Sequence, residues 1–166
     1  MKTTKSIVYG AIIAAAYTAL TLIFMPWSYG LMQVRISEAL TILPFFFPSA
    51  VPGLFIGCII VNLIGGYGPL DIIFGSLATL IAAFATSRIR NKFLAPLPAV
   101  ITNAVMVGGM LFYVMLGTSD AVPLWLAMLQ VGAGELIACY ALGLPLLLVL
   151  NKYRAKLGDP AMLRSF

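Results

Sequence analysis

The chain has no histidine among its 166 residues. This absence excludes a histidine-ligated zinc site, a Ser-His catalytic dyad and haem ligation through histidine. The glycine-rich run at 65–68 lacks the Lys and Ser/Thr of a phosphate-binding loop, so we interpret it as a tight turn and do not expect ATP hydrolysis by this chain. Catalysis by paired carboxylates would need more coincidences than a binding pocket does. We therefore expect no enzyme, no metal and no cofactor.

Cysteines and charged residues are also scarce. Cys58 and Cys139 stand alone in apolar sequence and are expected to be small core residues. Only 9% of the residues are charged, whereas 62% are hydrophobic and the mean hydropathy is +1.07. Soluble globular domains do not have this composition, so the chain is predicted to be an all-α integral membrane protein.

The length fits a compact bundle of six transmembrane helices. A span needs about 20 residues to cross a hydrocarbon layer of about 30 Å, so residues 1–166 form one membrane domain with little left over. Proline, glycine and basic residues divide the chain into six apolar segments, at about 7–25, 36–47, 51–64, 70–86, 99–116 and 122–150. The second and third segments are too short to span upright, and we expect them to be short or broken helices that line a cavity.

The basic residues are distributed so as to predict an orientation. If both termini are cytoplasmic, only Arg35 among the basic residues lies outside. The others then lie inside: Lys2, Lys5, Arg88, Arg90, Lys92, Lys152, Arg154, Lys156 and Arg164. The net charge of +5 is therefore attributed to the cytoplasmic ends of helices and not to nucleic-acid binding. In this orientation Glu38, Asp71 and Asp120 lie near the outer ends of their helices, and Glu135 lies deeper.

Ionisable and amide residues interrupt the apolar segments. Arg35, Glu38, Asn62 and Asp71 lie in the otherwise apolar stretch 33–83. Because an ionised group in hydrocarbon costs several kcal/mol, such residues usually face a protein interior or a wet cavity and have a function there. The sequence therefore predicts a polar pocket that opens to the outside.

The first segment carries a repeat of small residues. Ala11, Ala15 and Ala19 recur every four residues, so one helix face is smooth enough for another helix to approach closely. The repeat is consistent either with packing inside the bundle or with docking onto a separate membrane subunit.

Four stretches then resemble one known family. They are 33–40 (QVRISEAL), 44–48 (PFFFP), 53–80 (GLFIGCIIVNLIGGYGPLDIIFGSLATL) and 134–146 (GELIACYALGLPL). They closely resemble the QueT family of queuosine-precursor transporters, the substrate-binding S components of energy-coupling-factor (ECF) transporters. The resemblance implies six helices in a prokaryotic cell membrane and an outward-facing site under the first loop. It also implies an alanine face on helix one that meets a transmembrane coupling subunit, and two partner ATPase subunits.

The substrate that this resemblance implies is a 7-deazaguanine bearing an aminomethyl group. Carboxylates suit the adjacent N–H donors and the ammonium, a carboxamide suits the carbonyl, and aromatic rings suit the base face. The candidate substrate-binding residues are accordingly Trp27, Tyr29, Gln33, Glu38, Asn62, Asp71, Asn103 and Glu135, and the candidate partner-interface residues are Ala11, Ala15 and Ala19.

Several of these residues also have a structural interpretation. Arg35 could extend to the outer headgroups, or pair with Glu38 one helical turn on and make Glu38 structural. Asp71 could cap the fourth helix. For Glu135, which has no basic neighbour in sequence, ligand contact is favoured.

The amide and aromatic candidates are open in the same way. Asn62 and Asn103 could be interhelical hydrogen-bonding residues, and Trp27 with Tyr29 could form an interfacial belt. At the level of function, the alternative is a stand-alone, proton-coupled secondary carrier in which Glu135 and Asp71 titrate.

Overall fold

A computed structural model describes residues 2–28, 34–66, 68–113 and 123–153, and in these residues every regular element is helical. The elements are α1 (Lys2–Ile23), α2 (Met25–Ser28), a 3₁₀ helix (Ile36–Phe45), α3 (Ala50–Gly65), α4 (Pro69–Thr86), α5 (Leu97–Leu111) and α6 (Leu124–Lys152). Two π-helical turns interrupt the last two helices, at Asn103–Val107 in α5 and at Ile137–Gly143 in α6. Apart from the short α2, the bounds of these helices lie close to those of the six predicted segments.

Three of these helices are long and apolar enough to cross a membrane, namely Thr4–Ile23, Pro69–Thr86 and Leu124–Lys152. The 3₁₀ helix, α3 and α5 are apolar but shorter. This confirms an all-helical protein with membrane-length spans. Six crossings and cytoplasmic termini remain predictions.

The second segment is a 3₁₀ helix and not a short α-helix. Pro44 lies inside it and has no backbone N–H to donate, which disfavours α-helical hydrogen bonding. Since a 3₁₀ helix has three residues per turn, Glu38 and Thr41 lie in one row on a single face. Arg35 is the extended residue that directly precedes this helix.

Glycines let α1, α3 and α4 pack closely. α1 packs on α3, and α3 packs on α4. A Cβ added at Gly53 would overlap the carbonyl oxygen of Gly10, and one added at Gly57 would lie 3.0 Å from the carbonyl oxygen of Ala14. The backbones of α1 and α3 are thus in contact, as small residues permit in membrane helices.

The 3₁₀ helix is held on its other side by α6. It packs against the π-helical turn of α6, where a Cβ on Gly143 would lie 3.3 Å from the carbonyl oxygen of Ala39. This turn ends just before Pro145, whose ring cannot continue a regular α-helical hydrogen-bond pattern. The 3₁₀ helix is therefore enclosed between α1, α4 and α6.

The outer surface is apolar, and several ionisable groups are buried beside an apolar core. Large apolar side chains such as Ile12, Leu63 and Phe84 are exposed, whereas the carboxyl side chains of Glu38 and Glu135 are buried. An apolar outer surface is what a lipid environment accommodates, and buried ionisable groups in such a protein are usually functional.

Candidate functional site

Four ionisable side chains from three parts of the chain come together inside the bundle. Arg35 precedes the 3₁₀ helix, Glu38 lies in its first turn, Asp71 lies in the first turn of α4, and Glu135 lies in α6. Each is at most 3% exposed. Arg35 interacts electrostatically with Glu38, Asp71 and Glu135. One guanidinium and three carboxyl groups are thus buried in the same part of the bundle, and these three are all the acidic residues in the described part of the chain.

Arg35 faces the interior, so the expectation that it extends to the headgroups is wrong. It is 3% exposed, its Nε donates to the carbonyl oxygen of Ser28 at 3.3 Å, and its Nη1 lies 4.0 Å from the sulfur of Cys58. Arg35 is the extended residue just before the 3₁₀ helix, and its side chain is buried inside the bundle. Arg35 belongs to the site, although it was not among the predicted site residues.

Glu38 is held from α1 and still offers a free acceptor. The hydroxyl of Tyr17 donates to its Oε1, whereas its Oε2 has no hydrogen-bond partner among the described residues. The electrostatic interaction with Arg35 coexists with this contact. Pairing with Arg35 therefore does not use up the hydrogen-bonding capacity of Glu38.

Asp71 lies at the start of a face of α4 that contacts Asn62. Asp71, Gly75 and Thr79 recur every four residues and share one helix face. The Nδ2 of Asn62 donates to the backbone carbonyl of Asp71 at 3.2 Å and to the sulfur of Cys58 at 3.5 Å. Gly75 leaves room for this amide, since a Cβ there would lie 2.7 Å from Nδ2.

The carboxylate of Asp71 is not a helix cap. The N-cap of α4 is Gly68, which makes no side-chain capping bond, and neither carboxylate oxygen of Asp71 has a hydrogen-bond partner within the described ranges. The capping interpretation is therefore wrong. The carboxylate is available for another partner.

Glu135 and Asn103 lie next to the two π-helical turns. Glu135 precedes the turn in α6, and its Oε2 accepts a hydrogen bond from the thiol of Cys139 at 3.6 Å. Asn103 begins the turn in α5 and lies beside both Glu38 and Glu135, but its Nδ2 has no partner of good geometry in the described residues. π-helical turns occur often at functional sites.

The site as a whole has an excess of free acceptors. Four acceptor atoms of Glu38, Asn62 and Asp71 have no hydrogen-bond partner among the described residues: Glu38 Oε2, Asn62 Oδ1, Asp71 Oδ1 and Asp71 Oδ2. The free amide donor of the site is Asn103 Nδ2. Each unsatisfied buried group costs about 1–3 kcal/mol, so such a cluster is expected only where a ligand or water completes it. The complementary ligand is rich in N–H donors and has at least one acceptor.

The aromatic and first-loop candidates are not part of this buried cluster. Trp27 lies in α2 and is 66% exposed, and its ring centroid lies 6.0 Å from that of Phe24. Tyr29 and Gln33 lie outside the described residues, as does Asp120. The structure therefore brings Glu38, Asn62, Asp71, Asn103 and Glu135 together, and leaves Trp27 on the surface.

A second feature lies on the opposite side of α1. Ala11, Ala15 and Ala19 are all exposed, so packing of this alanine face inside the bundle is wrong for the isolated chain. They line an apolar groove of about 1170 Å³ between α1 and α3, which we call the α1–α3 groove. Its other lining residues are Ser6, Ile7, Gly10, Ala14, Thr18, Leu22, Pro48, Ser49, Pro52, Gly53, Ile56 and Ile60.

Sequence reasoning missed several neutral residues of the site. The hydroxyl of Tyr17 contacts Glu38, and the thiol of Cys139 contacts Glu135. The sulfur of Cys58 accepts hydrogen bonds from Asn62 at 3.5 Å and from Thr79 at 3.3 Å. A positional signal was present, because Cys58 lies four residues before Asn62, and Cys139 four residues after Glu135. On a helix, this spacing places the thiols on the site face, and both are buried there.

The membrane-length apolar helices and the buried polar site are features of a membrane protein that binds a small molecule. The comparison with known families agrees: the sequence model of the QueT transporter family matches residues 7–152. The chain therefore belongs to the QueT transporter family, as the sequence motifs predicted. No curated protein and no solved structure gives a significant match.

Proposed function

We propose that this chain is the substrate-capture subunit, or S component, of an ECF-type importer, and that it binds a queuosine precursor from outside the cell. The expected ligand is a 7-deazaguanine with an aminomethyl group. The observation that supports this most strongly is the convergence of three buried carboxylates and only one guanidinium on a site with unused acceptors.

The hydrogen-bonding pattern of the ligand suits the free atoms of the site. A guanine-type edge presents adjacent N–H donors beside a carbonyl acceptor, and a carboxylate accepts two such donors in a fork. Asp71 has both oxygens free for this role, and the free Nδ2 of Asn103 suits the carbonyl. A carboxylate from Glu38 or Glu135 is then left for the ammonium of the aminomethyl group, with a charge-assisted bond.

The net charge of the site favours a cation over a neutral ligand. Three buried carboxyl groups share one guanidinium, and burial without a further cationic partner disfavours their ionised form. Buried charge is costly unless it is paired, so a cationic ligand stabilises the ionised site and is stabilised by it. An uncharged analogue lacks this contribution.

The α1–α3 groove is the proposed contact with the rest of the transporter. It is apolar, exposed and lined by small residues, which suits close approach by a helix of the transmembrane coupling subunit. Two partner ATPase subunits would supply the energy through that coupling subunit. The positive-inside pattern supports six crossings of the cell membrane, cytoplasmic termini and an outward-facing site.

The deciding experiment is to purify the protein from cells that make queuosine precursors and to identify the small molecule that comes with it. We expect an aminomethyl 7-deazaguanine, and titration calorimetry with that compound should give saturable binding at one site. A co-purified molecule that lacks the guanine edge would show that the proposed ligand is wrong.

Uptake in whole cells tests the proposed energy source. Uptake should stop when the partner ATPase subunits are deleted. Uptake that survives this deletion but collapses with the proton gradient would show a proton-coupled carrier instead.

A further inference from the structure

α1 contributes to both the buried site and the exposed groove. Ala15 and Ala19 face the groove, whereas Tyr17, two positions from each, points into the bundle and is fully buried. Two residues along an α-helix correspond to a turn of about 200°, so the two faces are nearly opposite. The same helix therefore contacts the proposed ligand site and the proposed partner.

Tyr17 connects α1 directly to the ligand site. Its hydroxyl donates to Glu38 Oε1, one atom away from the oxygen that has no partner within the described residues. One turn further along, the hydroxyl of Thr21 donates to that of Ser37 at 2.6 Å. Two side-chain hydrogen bonds thus hold α1 against the first turn of the 3₁₀ helix.

The ring of Tyr17 has little freedom to move independently of the helices. It packs in a core cluster with Leu54, Cys58 and Val61 of α3. A Cβ added at Gly57 would lie 3.1 Å from the Cβ of Tyr17, so no space separates the two helices here. The side chain that contacts the Glu38 carboxylate is therefore packed tightly between α1 and α3, the two helices that form the groove.

We infer that Tyr17 couples occupancy of the ligand site to the affinity of the α1–α3 groove for the coupling subunit. This rests on the proposed function. A ligand N–H that binds Glu38 either competes with the Tyr17 hydroxyl or fixes the carboxylate that this hydroxyl contacts. In both cases the ligand acts on α1 through one hydrogen bond.

Thermodynamic linkage provides a quantitative test. If ligand changes the affinity for the coupling subunit by a given factor, the coupling subunit changes the ligand affinity by the same factor, and such factors are typically about 5–150. The measurement is the dissociation constant of the purified protein for the coupling subunit, with and without saturating aminomethyl 7-deazaguanine. The variant is Tyr17→Phe, which keeps the ring and removes the hydroxyl.

In the wild type, we expect the dissociation constant for the coupling subunit to differ with and without ligand. In Tyr17→Phe, the ratio of these two constants should fall to within about twofold of unity. Ligand affinity of the free variant should change by less than about tenfold, because one hydrogen bond is lost. Tyr9→Phe is the matched control, since Tyr9 is on α1 and 41% exposed, with its ring 6.4 Å from that of Phe47. Thr21→Val is a second variant of the same link and should reduce the ratio partly.

The outcomes separate this inference from the proposed function. If Tyr17→Phe keeps the wild-type ratio, or lowers both affinities while keeping the ratio, Tyr17 is structural and the inference is overturned. An equal partner affinity with and without ligand in the wild type also overturns it. A wild-type protein that binds no 7-deazaguanine, or no coupling subunit, overturns the proposed function itself.

Discussion

The buried site and the α1–α3 groove differ in what their side chains contribute. The site depends on individual atoms, because a charge or a free acceptor is buried at each position. The groove depends on the absence of side-chain bulk, because alanine and glycine allow a backbone to approach. Substitutions in the site should therefore change ligand affinity, and substitutions in the groove should change association with the partner.

The largest expected effect comes from filling the groove. Ala15→Trp should abolish uptake while the purified subunit keeps its ligand affinity, because the indole blocks close approach of a partner helix. Uptake assays and calorimetry on the same variant check this. Ile12→Trp is the control, since Ile12 is on α1 and 58% exposed but does not line the groove. If Ala15→Trp lost binding and uptake together, the two regions would not be separable.

Removal of one buried charge should have the next largest effect. Glu135→Gln keeps the size of the side chain but replaces an acceptor with a donor, so N–H groups of the ligand would face N–H groups of the amide. We expect a loss of at least about 2 kcal/mol, roughly thirtyfold in affinity, with the protein still folded in detergent. Titration calorimetry measures it. An affinity within about threefold of wild type would remove Glu135 from the site.

A single methyl group should distinguish the site from ordinary packing. Gly75→Ala places a Cβ 2.7 Å from Asn62 Nδ2 and should displace this amide from Asp71. We expect roughly tenfold weaker ligand binding, in line with the cost of overpacking. Gly109→Ala is the matched control, because its Cβ would make an ordinary 3.6 Å contact with Met128. Equal calorimetric affinities for the two variants would show that Asn62 does not position the ligand site.

The smallest effect is expected at Trp27. Stacking of an aromatic ring on a base contributes about 1–3 kcal/mol to binding. Because this ring is exposed, we expect the lower end of the range, so that Trp27→Ala weakens ligand affinity roughly fivefold. An unchanged dissociation constant in calorimetry would assign Trp27 to the interfacial belt.

Much of the helical layout and the polar pocket could be predicted from the sequence. Apolar length, proline and glycine placed the segments, and the cost of buried charge pointed to Glu38, Asp71 and Glu135. The structure brings these residues together with Asn62 and Asn103. The predicted exposed alanine face is also found on α1.

The local geometry could not be predicted. The inward position of Arg35 did not follow from the sequence, because extension to the headgroups and pairing with Glu38 one helical turn on were both open to it. The role of Tyr17 depends on a contact 21 residues along the chain, which no local pattern contains. The free carboxylate of Asp71 likewise depends on tertiary structure, since helix position alone favoured a cap.

The distance along the chain between Glu38 and Cys139 has a consequence for biosynthesis. The sulfur of Cys139 lies 3.7 Å from the backbone carbonyl oxygen of Glu38, which is 101 residues earlier in the chain, and Glu135 lies one turn before Cys139. At about 5–20 residues per second, a ribosome needs about 5–20 s to make the intervening chain. The 3₁₀ helix is therefore synthesised before α6, and its contacts with the π-helical turn of α6 can form only after this interval.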